Sequence, residues 1–293
     1  PRNAIVCRLY VASRSFRGID QYCIIRKPVK TSVKLRENVI THTLNKYEEI
    51  CYKLLKQITL MIYDEYEKMI QTKQDERAKK LGGHLLAMMT YLRQSVIIPQ
   101  IAISQLVSRL AFYEDDMKLV EAPLKKGIDE HGLREWLESP ESAFSTRINV
   151  ALDILNKHKD ENNVVFSNFV TCLEYLKMKH EGNSYILDGS MSIKKRDKIL
   201  REFKNKGGTL FLTYSLGAEG LNLQVGKNVI HLDCYWNRGK EDQALTRVYR
   251  NGQLNEEVNQ YNLVSNTGIE EAIFKKQMKK LDAYEKLKKG HYE

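Results

Sequence analysis

Residues 209–237 read TLFLTYSLGAEGLNLQVGKNVIHLDCYWN. Two short apolar runs, TLFLTY (209–214) and NVIHLD (228–233), bracket a loop that carries glycines. Runs of that length, closed by turn residues, predict buried strands. The pattern recurs upstream in NVVFSN (163–168) and SYILDGS (184–190), and downstream in VNQYNLV (258–264). Between the runs lie helical stretches. STRINVALDILNKHK has Ser145 as its N-cap, FVTCLEYLKMKH follows the first strand, and SIKKRDKILREFKN has Ser192 as its cap. A further helix carries QALTRVYRNGQ (243–253), and a Lys-rich one starts near Ile269. Strands and helices alternating at this spacing predict an α/β fold, a parallel sheet with helices on both faces. Ligands of such sheets sit beyond the carboxyl ends of the strands. SNF, DGS, LGAEG and DCYWN all fall there, so four loops are expected on one rim.

The region before Ser145 has another texture. From Asn38 to Ala111 apolar residues recur at spacings of three and four, which predicts helices. Gly82-Gly83 is expected to break that run and Pro99 to end it. Mixed, charged sequence with Pro123 and Pro140 follows and reads as a linker. The expected organisation is a mainly helical region over 1–112, a linker over 113–141, a sheet domain over 142–268 and a Lys-rich C-terminal helix over 269–293.

The chain has 293 residues, 42% of them apolar, enough for a packed core. Its net charge of +10 favours a polyanionic partner, most simply nucleic acid. No apolar run reaches the ~18 residues of a membrane span, and no signal-peptide pattern opens the sequence. Five scattered cysteines with no CxxC pair predict neither a zinc site nor a disulfide framework, and fit a reducing compartment. Pro1 in place of Met suggests a piece of a longer chain.

In QALTRVYRNGQ, helical spacing would put Gln243, Arg247 and Arg250 on one face at i, i+4 and i+7, with Ala244, Leu245 and Val248 opposite. Guanidinium groups are permanently charged forks that bind phosphate oxygens in pairs.

VVFSNF, YILDGSMSIKKRDKILREF, TYSLGAEGLNL, DCYWN and EDQALTRVYRNGQ occur in that order and spacing. Together they resemble motifs IV, IVa, V, Va and VI of the Snf2 family of DNA-dependent ATPases, in helicase superfamily 2. The resemblance spans roughly Ser145 to Ser265, the family's second RecA-like lobe. YLRQSVIIPQ resembles the segment before that lobe, and FRGIDQYCIIRKPV more weakly the stretch closing lobe 1. The helical region would then be the family's protruding insertion.

The resemblance implies a double-stranded DNA translocase of the chromatin-remodelling type, whose substrate is ATP with Mg²⁺ held mainly by lobe 1. Arg247 and Arg250 would be arginine fingers. Gln243, Gly217, Glu219, Gly220 and Asn222 would lie on the nucleotide side. Ser167, Asn168, Gly189, Ser190, Thr213, Ser215 and Trp236 would face DNA. The implied partners are duplex DNA, with the nucleosome among candidate targets, and the chain's own lobe 1. The implied location is the nucleus or another DNA-containing compartment, with a viral origin open.

Several positions depart from the family pattern. Ala218 and Glu219 stand where many members carry Gly and a neutral residue, Asn237-Arg238 where many continue Asn-Pro, and Tyr249 where His is common. Trp236 reads either as a DNA coupler or as a core residue. Lys194, Lys195 and Arg196 read as solvated surface, with phosphate contact the alternative. DEHG (129–132) follows no apolar strand, and ITLMIYDEYE (58–67) continues a helical pattern, so neither is a Walker B box. No GxxxxGK[ST] occurs in the 293 residues, so the ATP grip is expected elsewhere. Two rivals remain: an RNA helicase lobe, disfavoured by the absence of an HRxGR-like ending, and a non-catalytic binding module on the same fold.

Overall fold

The computed structural model describes residues 33–110, 118–139, 145–217 and 221–288. FRGIDQYCIIRKPV lies outside them. The first element is strand β1 (Lys34–His42). The helices α1 (Lys46–Gln71), α2 (Asp75–Ser95), α3 (Pro99–Leu110), α4 (Lys118–Glu130) and α5 (Leu133–Glu138) follow. The alternating part then runs α6 (Thr146–Lys157), β2 (Asn163–Ser167), α7 (Val170–Lys179), β3 (Ser184–Leu187), α8 (Ile193–Lys206), β4 (Thr209–Thr213) and the single turn α9 (Tyr214–Gly217). It closes with β5 (Asn228–His231), α10 (Arg238–Val248), β6 (Glu257–Ser265) and α11 (Gly268–Lys288).

The six strands form one parallel sheet in the order β1-β6-β5-β2-β4-β3. Every residue of β2, β4 and β5 is buried, as continuous apolar runs covered on both faces should be. Val165, Phe211, Ile230 and Leu263 pack against α6, α7 and the turn at Ile97-Ile98. Val164, Phe166, Leu212 and Val258 pack on the other face against Phe203 of α8 and Ala244 and Val248 of α10.

The sheet departs from expectation at its edge. Residues 34–42 fall in the stretch assigned to the helical region, yet they form a strand that pairs along its length with β6, from Lys34 opposite Glu257 to His42 opposite Ser265. On one face β1 is open to solvent, and only Leu35, Val39 and Ile40 of its nine residues are apolar, so no apolar run marks it as a strand.

The helical region has its own core. Asn45 caps α1 through a reciprocal box: its Oδ1 accepts from the Tyr47 and Glu48 amides at 3.0 Å, and Glu48 accepts from the Asn45 amide at 2.7 Å. Leu55, Ile58 and Ile62 line one face of α1 and are at most 1% exposed. Each contributes about 1.5–3 kcal/mol by burial. Gly82-Gly83 does not break the run, because α2 passes through both. Packing of Leu81 and Met88 into the α1 cluster outweighs the ~1 kcal/mol per glycine that a helix interior costs. The break comes instead at Thr72–Gln74, where Lys73 takes φ 54°. Pro99 starts α3 rather than ending a helix, since its missing N–H costs nothing at the first helical position. The expected linker is helical over most of its described residues. Val120 and Leu124 of α4 and Leu133 of α5 are buried in the α1 cluster. Gly127 lets α4 approach α1, since a Cβ there would lie 2.3 Å from Leu54 Cδ1.

Side chains of α1 tie the helical region to the sheet domain. Ile269 and Ile273 of α11 enter the helical cluster, and the Tyr52 hydroxyl accepts from the Ile269 amide at 2.9 Å. Glu48 accepts from the Thr146 amide at 2.6 Å and its hydroxyl at 2.7 Å, linking the starts of α1 and α6. Beneath them, fully buried Arg147 forks onto Glu270 at 2.7 and 2.6 Å and donates to the Leu232 carbonyl at 3.1 Å and His42 Nε2 at 3.3 Å. Glu270 also accepts from the Ser265 amide at 2.6 Å and hydroxyl at 2.7 Å. Burial pushes the Glu270 carboxyl up, but Arg147 and the Ser265 bonds outweigh it and hold the group below its usual range. Burial, then the Arg147 charge, lowers the His42 pKa to about 4, so its ring is neutral and accepts.

Candidate functional site

Two of the loops at the carboxyl ends of the strands, SNF and DCYWN, are bonded to each other, and Asp233, just past β5, joins them. Its Oδ1 accepts from the Ser167 hydroxyl at 2.6 Å and the Asn168 amide at 2.9 Å. Its Oδ2 accepts from the Asn168 side-chain amide, and from Arg93 of α2 at 3.4 Å. Ser167 is fully buried and its hydroxyl is committed to Asp233, so at this position a ligand meets the loop and not that hydroxyl. Asn168 is half-buried.

Arg93 and Gln94 bring the helical region to the rim. Arg93 donates to the Cys234 carbonyl at 2.7 Å, and its guanidinium lies 5.6 Å from the Phe169 ring and 5.4 Å from the Trp236 ring. Lys276 of α11 also sits 5.5 Å from Trp236. Trp236 is therefore a half-buried bridge between two cations, packed on the helical cluster. Gln94 donates to Thr171 at 3.1 Å. Sequence alone singles out neither Arg93 nor Asp233, although both lie inside quoted motifs.

The remaining rim residues sit on neighbouring strands. Gly189 and Ser190 are exposed in the turn after β3, where Asp188 accepts from the Ser190 amide at 2.7 Å and from its hydroxyl. Those bonds, the hydroxyl's above all, lower the Asp188 pKa. Thr213 ends β4 largely buried, with its hydroxyl 2.9 Å from that of exposed Ser215. Below them Tyr214 donates to the Asp233 carbonyl at 2.7 Å. That uses its one proton, so His231 Nδ1, 2.9 Å away, carries the hydrogen between them. Burial, then the Arg238 charge, lowers the His231 pKa to about 3.

The paired arginines form a second group, at the opposite end of α10. The helix ends at Val248, and Tyr249 turns extended at φ −84°, ψ 91°. Gln243 and Arg247 keep their i, i+4 relation, whereas Arg250 lies beyond the helix, so the three do not share one helical face. The turn that carries Arg250 is docked instead on the segment before β5. The Leu223 amide donates to the Arg247 carbonyl at 3.0 Å, and Gln253 donates to the Gly226 and Val248 carbonyls at 3.0 and 2.9 Å. Gln224 donates to the Asn251 carbonyl, and its own amide donates to Asn222 Oδ1 at 3.2 Å. Gly252 must be glycine: its φ is 87°, and a Cβ would come 2.9 Å from Gln224 Nε2. Leu223 and Gln224 thus lie against the backbone of Arg247 and Asn251, and Gln243 is exposed. Gly217 ends α9. Glu219 and Gly220 lie outside the described residues.

The helicase conserved C-terminal domain family matches residues 146–252, which contain Asp233, Arg247 and Arg250 but not Arg93. A RAD54-like DNA repair and recombination protein of Drosophila grimshawi is 27% identical over 284 residues, 93% of this chain and 34% of the relative. A putative SWI/SNF-related regulator of chromatin from Arabidopsis thaliana, subfamily A member 3-like 1, is 34% identical over 154 residues, 49% of this chain and 17% of the relative. The chain carries a helicase conserved C-terminal region and resembles Snf2-family proteins. It spans about a third or less of these curated relatives' length. Among solved structures, the C-terminal part of the Fun30 ATPase domain superposes with a TM-score of 0.57 at 21% identity, covering 84% of this chain and 89% of that one. The likeness shows the fold, a RecA-like helicase lobe preceded by helices.

Described residues on both sides of 218–220 reach the two groups. Thr213 and Ser215 lie at the rim, and the Leu223 amide donates to the Arg247 carbonyl. Among the described residues no cluster of His, Cys, Asp and Glu could hold a metal, and no helix is long and apolar enough to cross a membrane.

Proposed function

We propose that the chain is the C-terminal part of an ATP-driven translocase on double-stranded DNA, and that Arg247 and Arg250 act on ATP held by another lobe. One observation carries this reading: Thr213 and Ser215 of the rim and Leu223 and Gly226, which bond the arginine turn, lie within fourteen residues of chain, of which 213–217 and 221–226 are described. A shift of the rim on a DNA backbone therefore moves the arginines, and the arginines closing on a γ-phosphate move the rim. Arginine supplies charge where the transferring phosphoryl group gains it. Mg²⁺ enters with ATP and is held mainly by the other lobe. The rim offers small polar groups at Asn168, Gly189, Ser190 and Ser215, which suits backbone contacts that set register without reading sequence.

The relatives named for DNA repair and for chromatin regulation support DNA as the partner, a nucleosomal target and a nuclear or other DNA-containing location. The test uses a full-length protein containing this chain. Arg247→Ala and Arg250→Ala should each lower DNA-stimulated ATP hydrolysis by about 10³–10⁵-fold. Arg250→Lys should not restore it, since Lys lacks the planar fork. An unchanged rate for Arg250→Ala would refute the finger role and favour a binding module.

A further inference from the structure

We propose that the outward face of α8 is a second contact for duplex DNA, continuing from the rim along the flank of the sheet. This rests on the reading of the lobe as DNA-acting. The helix carries seven basic and two acidic residues among fourteen. At 100° per residue, Lys194, Lys198 and Arg201 fall within one narrow stripe, Lys195 and Lys206 lie to one side of it and Asp197 to the other. All five are exposed, and none makes an ion pair with a described carboxylate. The opposite side of the helix is held by Phe203, buried and edge-on to Tyr185 at 6.1 Å between ring centroids. Arg196 is turned to the rim, where it donates to the Gly189 carbonyl at 2.9 Å.

Topology gives the stripe its direction. α8 starts just after the exposed Gly189-Ser190 turn and returns to the start of β4, so it runs from the rim to the far end of the lobe. Its 14 residues span about 21 Å. The stripe has no apolar centre of the kind a protein interface buries. It offers cations at intervals along a line, which suits a phosphate backbone carrying one charge per ~1.7 Å of duplex axis. Duplex held at Ser190 alone would leave Lys198, Arg201 and Lys206 unused.

The test measures binding of this chain to duplex DNA across a salt series. The triple variant Lys194→Gln/Lys198→Gln/Arg201→Gln should weaken binding at least tenfold at low salt. It should also reduce the slope of log K against log[salt] by about 2–3, near 0.9 for each phosphate that is no longer neutralised. Glu202→Lys, which replaces the acidic residue between the stripe and Lys195, should tighten binding. Asn168→Ala reports on the rim independently. If Asn168→Ala weakens duplex binding while the triple variant and Glu202→Lys match the wild type, the α8 proposal is overturned and the DNA reading stands. If the wild type does not bind duplex at low salt, the DNA reading itself fails and the proposal falls with it. A triple variant that keeps duplex DNA but loses polyglutamate peptide would also overturn it, by assigning the stripe to an acidic protein. Preference for RNA duplex over DNA would do the same. Unchanged thermal unfolding of the triple variant shows that the losses are not failures of folding.

Discussion

Ser167 and Asp233 are 66 residues apart in sequence and joined by a 2.6 Å hydrogen bond that closes β2 onto β5. Asp233→Ala removes the acceptor for Ser167, for both nitrogens of Asn168 and for Arg93. Buried donors left without a partner cost about 1–3 kcal/mol each, so the variant should lose at least ~3 kcal/mol in urea unfolding. Adding Arg93→Met should recover part of the loss. A loss below ~1 kcal/mol would show that the rim does not depend on this carboxylate.

The Arg147–Glu270 pair makes a sharper case, because both side chains are buried. Glu270→Gln leaves a guanidinium uncompensated in the core and should cost about 3–5 kcal/mol. Arg147→Met combined with Glu270→Leu should cost less than Glu270→Gln alone, because no charge remains to be satisfied. A double-mutant cycle of unfolding free energies reads the difference.

Stability should depend on pH through groups of opposite sign. His42 and His231 have folded pKa values near 4 and 3, below their usual 6.5, so the unfolded chain binds more protons between those limits. Their contribution is fully present above pH ~6.5 and is lost as pH falls toward the folded values. Glu241 acts the other way. Burial raises its pKa from 4.5 to about 7, against the Tyr235 amide and Gln277, so the folded chain binds more protons in that window. Its contribution is present below pH ~4.5 and is lost as pH rises to ~7, on the order of 3 kcal/mol. Urea midpoints between pH 5 and 7.5 should rise less steeply in His231→Gln and more steeply in Glu241→Gln. Parallel profiles for all three proteins would contradict this assignment.

Gly127→Ala should destabilise the chain by about 1–3 kcal/mol, since the added carbon lands 2.3 Å from Leu54 Cδ1. Leu54→Ala in the same chain should make the glycine change almost neutral. Thermal melts of the four proteins of that cycle decide it. Additive losses would mean that Gly127 serves its backbone rather than the contact with α1.

Much of the sheet was legible in the sequence because its central strands are short apolar runs with turn residues behind them. NVVFS and TLFLT are buried from end to end, and the alternation of strand and helix then set their direction. β1 was not legible, since KLRENVITH has three apolar residues in nine, at Leu35, Val39 and Ile40, and is only partly covered. Helices α4 and α5 were hidden under their charge, because Val120, Leu124 and Leu133 are a sparse apolar set that gains meaning only beside α1. The rim loops were readable as motifs, whereas the role of Asp233 depends on bonds to Ser167, Asn168 and Arg93, which are distant in sequence. The arginine turn shows the opposite limit. Regular spacing put Arg250 on the helix, and the docking of Gln253 and Gln224 pulled it off.

The pairing of β1 with β6 bears on how the lobe forms. The two strands are in register from Lys34–Glu257 to His42–Ser265, so the edge of the sheet waits for residues more than 200 positions downstream. During synthesis β1 emerges first and stays without a partner until β6 arrives, while α1 to α5 have local contacts enough to assemble. Closing so long a loop is slow relative to local helix packing. Folding should therefore proceed in at least two kinetic phases, an early helical one and a late one that locks the edge strand. A piece beginning after the helical region would leave β6 as a bare edge able to pair with another copy.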